Sequence, residues 1–79
     1  MVQVLVGCRY RHFKGGVYEV ILCALHTETN EVLVIYEDVK HGKIYARPVD
    51  MFLEQVEVDG VMKDRFELVN DEDIWSIFI

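Results

Sequence analysis

Apolar residues in this chain recur at every second position, and turn residues cut the pattern at short intervals. Alternation at period two marks β-strands, and helix-period patterns are scarce. The fold therefore has to be assembled from short strands and tight turns. Val17 to His26 is the longest strand candidate, and both of its faces are mostly apolar. A strand of that kind is central or sharply bent.

The other elements follow from punctuation. Val2 to Val6 and Arg9 to Phe13 read as short strands, and Lys14-Gly15-Gly16 as a turn in which glycines supply positive φ. Thr27-Glu28-Thr29-Asn30 joins Val17–His26 to a β-branched run, Val32 to Tyr36, as a hairpin. Glu37 to Lys43 is a loop, and Lys43 to Arg47 a strand ended by Pro48. Pro48 to Phe52 makes a turn of helix whose Met51 and Phe52 plug an open barrel end. Val56 and Val58 face inward, Asp59-Gly60 is a hairpin turn, and Val61 to Val69 returns with Phe66 and Leu68 on the core face. The expected architecture is mostly β: a small, strongly bent antiparallel sheet or SH3-like barrel, at least two-fifths strand.

Seventy-nine residues suit one domain, spanning 1–79, with a tail from 70 to 79. At 52% apolar the chain is too hydrophobic to stay disordered. The opening Met1-Val2-Gln3-Val4-Leu5-Val6-Gly7 lacks a basic region and is too short for a signal peptide or a membrane span. A cytoplasmic location without membrane contact is the expectation. Cys8 and Cys23 are then reduced thiols buried as small hydrophobes. A net charge of −6 argues against general nucleic-acid binding. The charge is unevenly placed: Arg9, Arg11 and Lys14 precede the first acid, Glu19, whereas from Asp50 onward only Lys63 and Arg65 offset nine acids. Such asymmetry can leave a basic face on an acidic protein.

Motifs for catalysis are absent from the sequence: no nucleophile elbow, phosphate-binding loop, zinc-protease helix or dinucleotide fingerprint. Cys8, His12, Cys23 and His26 have the side chains of a zinc site. Their spacing does not fit, since four residues of strand separate Cys8 from His12 by roughly 13 Å. Cys23 and His26 have opposite parity. Neither metal nor cofactor is expected, and the chain is read as a protein that is not an enzyme. His26 with Glu28 could form an acid–base pair, but a polar hairpin end is the simpler reading.

One constellation stands out: Tyr10, Arg11, His12, Lys14, His26, Tyr36, Tyr45 and Arg47. Flat rings can stack on a planar group, and arginine can grip a phosphate or carboxylate. If the sheet closes, these residues line one concave face. The alternative is that the rings only cover a thin core. Separately, Ile74-Trp75-Ser76-Ile77-Phe78-Ile79 is strongly apolar, with Asn70 or Asp71 able to cap a short helix. It either packs on its own barrel or joins a homo-oligomer through Ile74, Trp75 and Phe78.

A family resemblance rests on particular residues. Tyr10-Arg11-His12-Phe13-Lys14-Gly15, Tyr18, His26-Thr27-Glu28-Thr29, Tyr36, Arg47-Pro48 with Met51-Phe52, Val56 to Gly60, and Arg65-Phe66 together resemble a small bacterial and phage family. That family is a domain of unknown function, number sixteen-fifty-three. The resemblance covers about residues 7 to 69 and implies a small bent-sheet barrel, with no activity attached. Two places depart from its pattern: tryptophan is expected near Tyr45, and Glu37 to Lys43 is shorter and more basic. The apolar tail lies outside the pattern.

The leading functional expectation is a non-catalytic module that binds or sequesters a small anionic planar ligand, such as a nucleotide, on the Tyr/His/Arg face. The alternatives are a protein–protein interaction adaptor using the same rings, or an acidic inhibitor that mimics nucleic acid.

Overall fold

The computed structural model describes residues 3–69. Seven strands and one helical turn follow in chain order: β1 (Arg9–His12), β2 (Val17–Leu25), β3 (Val32–Asp38), β4 (Ile44–Pro48), α1 (Val49–Phe52), β5 (Gln55–Val58), β6 (Val61–Asp64) and β7 (Phe66–Leu68). Strand accounts for 54% of the described residues. The apolar tail, with the oligomer contact expected of Ile74, Trp75 and Phe78, lies outside them.

The long strand is central, as its two apolar faces require. It is the middle member of a five-stranded antiparallel sheet ordered β4-β3-β2-β1-β7. A second cause emerges from the register. Val20 pairs with Tyr36, but Leu22 pairs with Ile35, so the ladder slips by one at a bulge between them. A bulge inserts an unpaired residue and shifts the alternation. Tyr18 and Val20 point to the core face before it; Cys23, opposite buried Val34, has that phase after it. Cys23 is nonetheless exposed, against the expectation of a buried thiol, while Cys8 packs on the core.

The sheet does not close into a barrel. β4 and β7 are its free edges, and β5 with β6 forms a separate two-stranded ribbon. The reason lies at Arg65, which divides the returning segment in two. β6 pairs with β5, and β7 crosses to pair with β1. The ribbon turn is as expected: Asp59 (φ 51°) and Gly60 (φ 81°) both have positive φ, the pair required by a tight type I′ hairpin. Val56 and Val58 are half-buried and Glu57 exposed, which preserves the alternation.

Three further expectations need correction. Gln3 to Val6 forms no strand; Leu5 instead donates its backbone N–H to the Tyr10 hydroxyl at 2.9 Å. Only Phe52 of the helical turn is a plug, because on so short a helix Met51 points outward and is 44% exposed. Leu68 has the parity of Phe66 but is 44% exposed on the edge strand.

The core is small and largely aromatic: Tyr10, Val20, Val34, Tyr36, Phe52 and Phe66. Phe52 is fully buried and stacks on Phe66, centroids 4.1 Å apart and planes 5° from parallel. Tyr10 and Tyr36 meet Phe52 edge-on at 5.2 and 5.5 Å. Offset and edge-on ring pairs add about 0.5–1.5 kcal/mol each to the burial itself. Phe52→Ala should therefore cost about 3–5 kcal/mol, read as a lower denaturation midpoint in urea. A loss below about 1 kcal/mol would show that the core does not depend on this ring.

Candidate functional site

The pairing register decides which polar and aromatic residues share a face. Tyr10 lies opposite Tyr18, Tyr36 opposite Tyr45, Val34 opposite Arg47, and His12 opposite Phe66. Directly paired residues project from the same side of a sheet. These side chains thus stand on the core face, where α1 and Phe52 cover only one part. Beyond that cover, His12, Tyr18, Tyr36, Tyr45, Arg47 and Phe66 line a cleft of about 140 Å³.

Its walls are a connected set of rings. Tyr36 and Tyr45 are stacked, centroids 5.6 Å apart and planes at 24°. Tyr18 stands edge-on to both, at 5.5 and 6.2 Å. A Cβ at Gly16 would lie 3.2 Å from the Tyr18 ring, so glycine there makes room for the phenol. Of the two turn glycines only Gly15 has positive φ, +109°. His12 meets Phe66 at 5.0 Å and Tyr18 at 6.3 Å, both edge-on.

Arg47 is held from two sides. Its Nε donates to the Tyr36 hydroxyl at 3.2 Å, and its guanidinium carbon lies 5.8 Å from the Phe66 ring centre. Cation–π contact of this kind orients a guanidinium without neutralising it. Glu54, the acid a surface arginine could have used, pairs with Arg65 instead at 3.4 Å. Among the described residues Arg47 has no ion pair. The Arg65 Nε is buried without an acceptor among them, a second cation whose donors are incompletely matched.

The surroundings of His12 favour its neutral form. Burial lowers its pKa below 6.5, and Arg47, Arg65 and Lys14 lower it further. Its Nδ1 accepts the Lys14 backbone N–H at 3.1 Å. The neutral ring therefore carries its proton on Nε2, leaving one N–H donor. Burial raises the Tyr18 pKa above 10, helped by the Asp38 carboxylate and the Tyr45 and Tyr36 phenols. Asp38, opposite Tyr18, is occupied within its own loop. It accepts from the His41 ring at 2.8 Å and from the Lys40 and His41 amides. Those bonds, the His41 ring first, hold its pKa below the usual value.

Of the eight residues singled out from the sequence, His12, Tyr36, Tyr45 and Arg47 meet in this cleft. Tyr10 is buried in the core beneath its neighbours. Arg11 projects to the opposite side from His12 by strand alternation, beside Lys63, Asp64 and Glu67 in a second cleft that His12 also lines. Lys14 lies near enough to His12 to shift it, but its ammonium sits 5.7 Å from the Phe13 ring. His26 is far away: eight strand residues from Tyr18 span about 26 Å, and its Nδ1 accepts the Glu28 N–H in the hairpin turn. Tyr18 and Phe66 complete the cleft and were not singled out. The parity of Tyr18 with Val20 was a visible signal; the placement of Phe66 beside His12 required the β1–β7 register. Among the described residues no three His, Cys, Asp or Glu side chains gather as metal ligands.

Residues 8–68 match the family described as a protein of unknown function (DUF1653). The chain is also similar to a solved protein of that family from Bordetella bronchiseptica. The two are 27% identical over 89% of this chain and 94% of that one, with a TM-score of 0.75. No curated protein matches the chain.

The lowered pKa of His12 has a measurable sign. The unfolded chain takes up this proton near pH 6.5, before the folded chain does. Stability is therefore full above pH 6.5 and falls as pH drops towards the lowered folded-state value. His12→Asn, which keeps an acceptor for Lys14, should flatten the melting temperature between pH 7 and about 5 relative to the unaltered chain. An identical slope in both proteins would mean that His12 titrates normally.

Proposed function

The chain belongs to the DUF1653 family, whose description carries no activity, and we propose that it is a non-catalytic module that binds a small anionic ligand with a flat ring, a nucleotide being the leading class. The observation that carries this reading is Arg47: a guanidinium fixed by Tyr36 and Phe66, bordered by stacked phenols, and lacking an ion pair among the described residues. A pre-positioned arginine gives a charge-assisted contact at little ordering cost. The partly exposed ring of Tyr45 beside it is stacked on Tyr36 and has the Lys43 ammonium 5.6 Å from its centre, so a planar group would stack there by displacing that flexible side chain, whose charge also suits an anion. His12 contributes a neutral N–H donor, so the site stays receptive to anions without depending on histidine protonation.

The size of the cleft limits what is enclosed. At about 140 Å³ it is smaller than the roughly 300–1,000 Å³ of sites that engulf a ligand. A phosphate or one ring fits within it, and the rest of a nucleotide would lie along the surface. The same shallowness favours a second reading, in which a partner protein presents an acidic side chain to Arg47.

A thermal-shift and calorimetric panel separates these readings. Nucleoside monophosphates should raise the melting temperature, since a ligand of the folded state must do so. The matching nucleosides should have little effect. Arg47→Ala should weaken nucleotide binding roughly ten- to a hundred-fold, the loss of a contact worth about 1.5–3 kcal/mol. His26→Ala, at the far hairpin, should leave it unchanged. If no nucleotide shifts the melt, the nucleotide reading fails, and an acidic peptide that binds in an Arg47-dependent way would support the partner-protein reading.

A further inference from the structure

β4 is one edge of the five-stranded sheet, and among the described residues nothing pairs with its outer side. The phase of the β3–β4 ladder fixes which backbone groups that side presents. Asp38 donates its N–H to the Lys43 carbonyl at 2.8 Å. Hydrogen-bonded pairs alternate along an antiparallel ladder, so Tyr36 with Tyr45 and Val34 with Arg47 are the next two. The N–H and C=O groups of Tyr45 and Arg47 therefore face β3, and those of Ile44 and Ala46 face outward. Pro48 has the outward phase too, and its missing N–H is tolerated at an edge. An edge with free donors and acceptors is a template for another strand. The other edge, β7, has three residues and offers less.

Charge decides which strand suits it. From Val39 to Val49 the chain carries Lys40, Lys43 and Arg47 and no acid, in a protein of net charge −6. None of the three has an ion pair among the described residues. Tyr45 and Arg47 line the cleft, and the Lys43 ammonium lies 5.6 Å from the Tyr45 ring centre, so both charges of β4 stand on one side. Ile44 and Ala46 stand on the other and are exposed. A second copy is a poor occupant. Pairing Ile44 with Ala46 across a two-fold axis sets Lys43 opposite Arg47, and like charges directly opposite repel.

We propose that the β4 edge receives an extended acidic segment of a partner protein as a sixth, antiparallel strand. Backbone pairs at Ile44 and Ala46 hold it. Its side chains then alternate: those opposite Lys43 and Arg47 are carboxylates, and those opposite Ile44 and Ala46 are apolar. The proposal rests on the partner-protein reading of Arg47 and not on nucleotide binding.

The probe is the peptide acetyl-Glu-Val-Thr-Val-Glu-amide, titrated to millimolar concentration into isotopically labelled protein. The amide signals of Ile44 and Ala46 should shift most. Replacing both peptide carboxylates by amides should weaken binding roughly ten-fold or more, the loss of charge-assisted contacts. Methylating the two valine nitrogens, which removes the donors to Ile44 and Ala46, should weaken it as much. Ala46→Pro deletes one outward donor and keeps every bond to β3, so peptide binding should fall several-fold with an unchanged melt. Arg47-dependent nucleotide binding should be the same in this variant. Four results would each overturn the proposal: no shift at Ile44 or Ala46, full affinity for the methylated peptide, full affinity in folded Ala46→Pro, or a stable dimer that Ala46→Pro dissociates, which would assign the edge to a second copy. Full affinity for the methylated peptide with a weak amide peptide would leave an acidic contact at Arg47 without strand pairing, and so separates this proposal from the reading it rests on.

Discussion

The Phe52–Phe66 stack joins parts of the chain that have no backbone pairing with one another. Phe66 lies on the edge strand β7, and Phe52 ends the helical turn that follows β4 at the other edge. Their parallel contact at 4.1 Å, flanked by Tyr10 and Tyr36, ties the two sides of an open sheet over one face. A domain of this size buries few residues, so each large ring carries a substantial share of the stability. The same ring of Phe66 then turns its other contacts to His12, Tyr18 and Arg47. Core and cleft are thus two ends of one aromatic cluster, and the cleft is where the helical turn stops covering it.

That continuity accounts for the electrostatics. Aromatic neighbours take water away from His12 and Tyr18, and both respond by keeping their neutral forms. The acids nearby are committed elsewhere, Asp38 to its own loop and Glu54 to Arg65. What remains is positive charge: Arg47 stands among neutral rings, with the Lys43 ammonium over Tyr45. In the proposed function, that unmatched charge is the group an anion would meet.

Much of the fold could be read in the sequence because its signals are local. The Asp59-Gly60 turn, the hairpin across Thr27–Asn30 and the central placement of Val17–Leu25 follow from turn chemistry and parity. What could not be read depends on long-range register. Nothing local reveals that Val61–Leu68 breaks at Arg65 and serves two different partners, and an open sheet rather than a barrel follows from that break. The site divides in the same way. Tyr36, Tyr45 and Arg47 come together because a single hairpin aligns them, whereas Phe66 and His12 meet only through the pairing of β1 with β7. Tyr10 shares the strand parity of His12, and Arg11 has the opposite parity. Strand alternation and the cover of α1 send one to the core and the other to the far side.

The bulge between Val20 and Leu22 also bears on how the chain finds this arrangement. β2 and β3 form the longest hairpin of the large sheet, although β1 with β2 and β3 with β4 pair across shorter sequence separations. Apolar strands with two similar faces are prone to slip. Here a slip cannot give a fully regular ladder that suits both halves. Aligning the first half on Val20–Tyr36 forces the extra residue out at the bulge, and aligning the second half on Cys23–Val34 without it would turn Val20 outward. The irregular residue therefore acts as a phase lock on the hairpin: only with it do Val20 and Val34 both stand on the side where Tyr36 and the other rings are gathered.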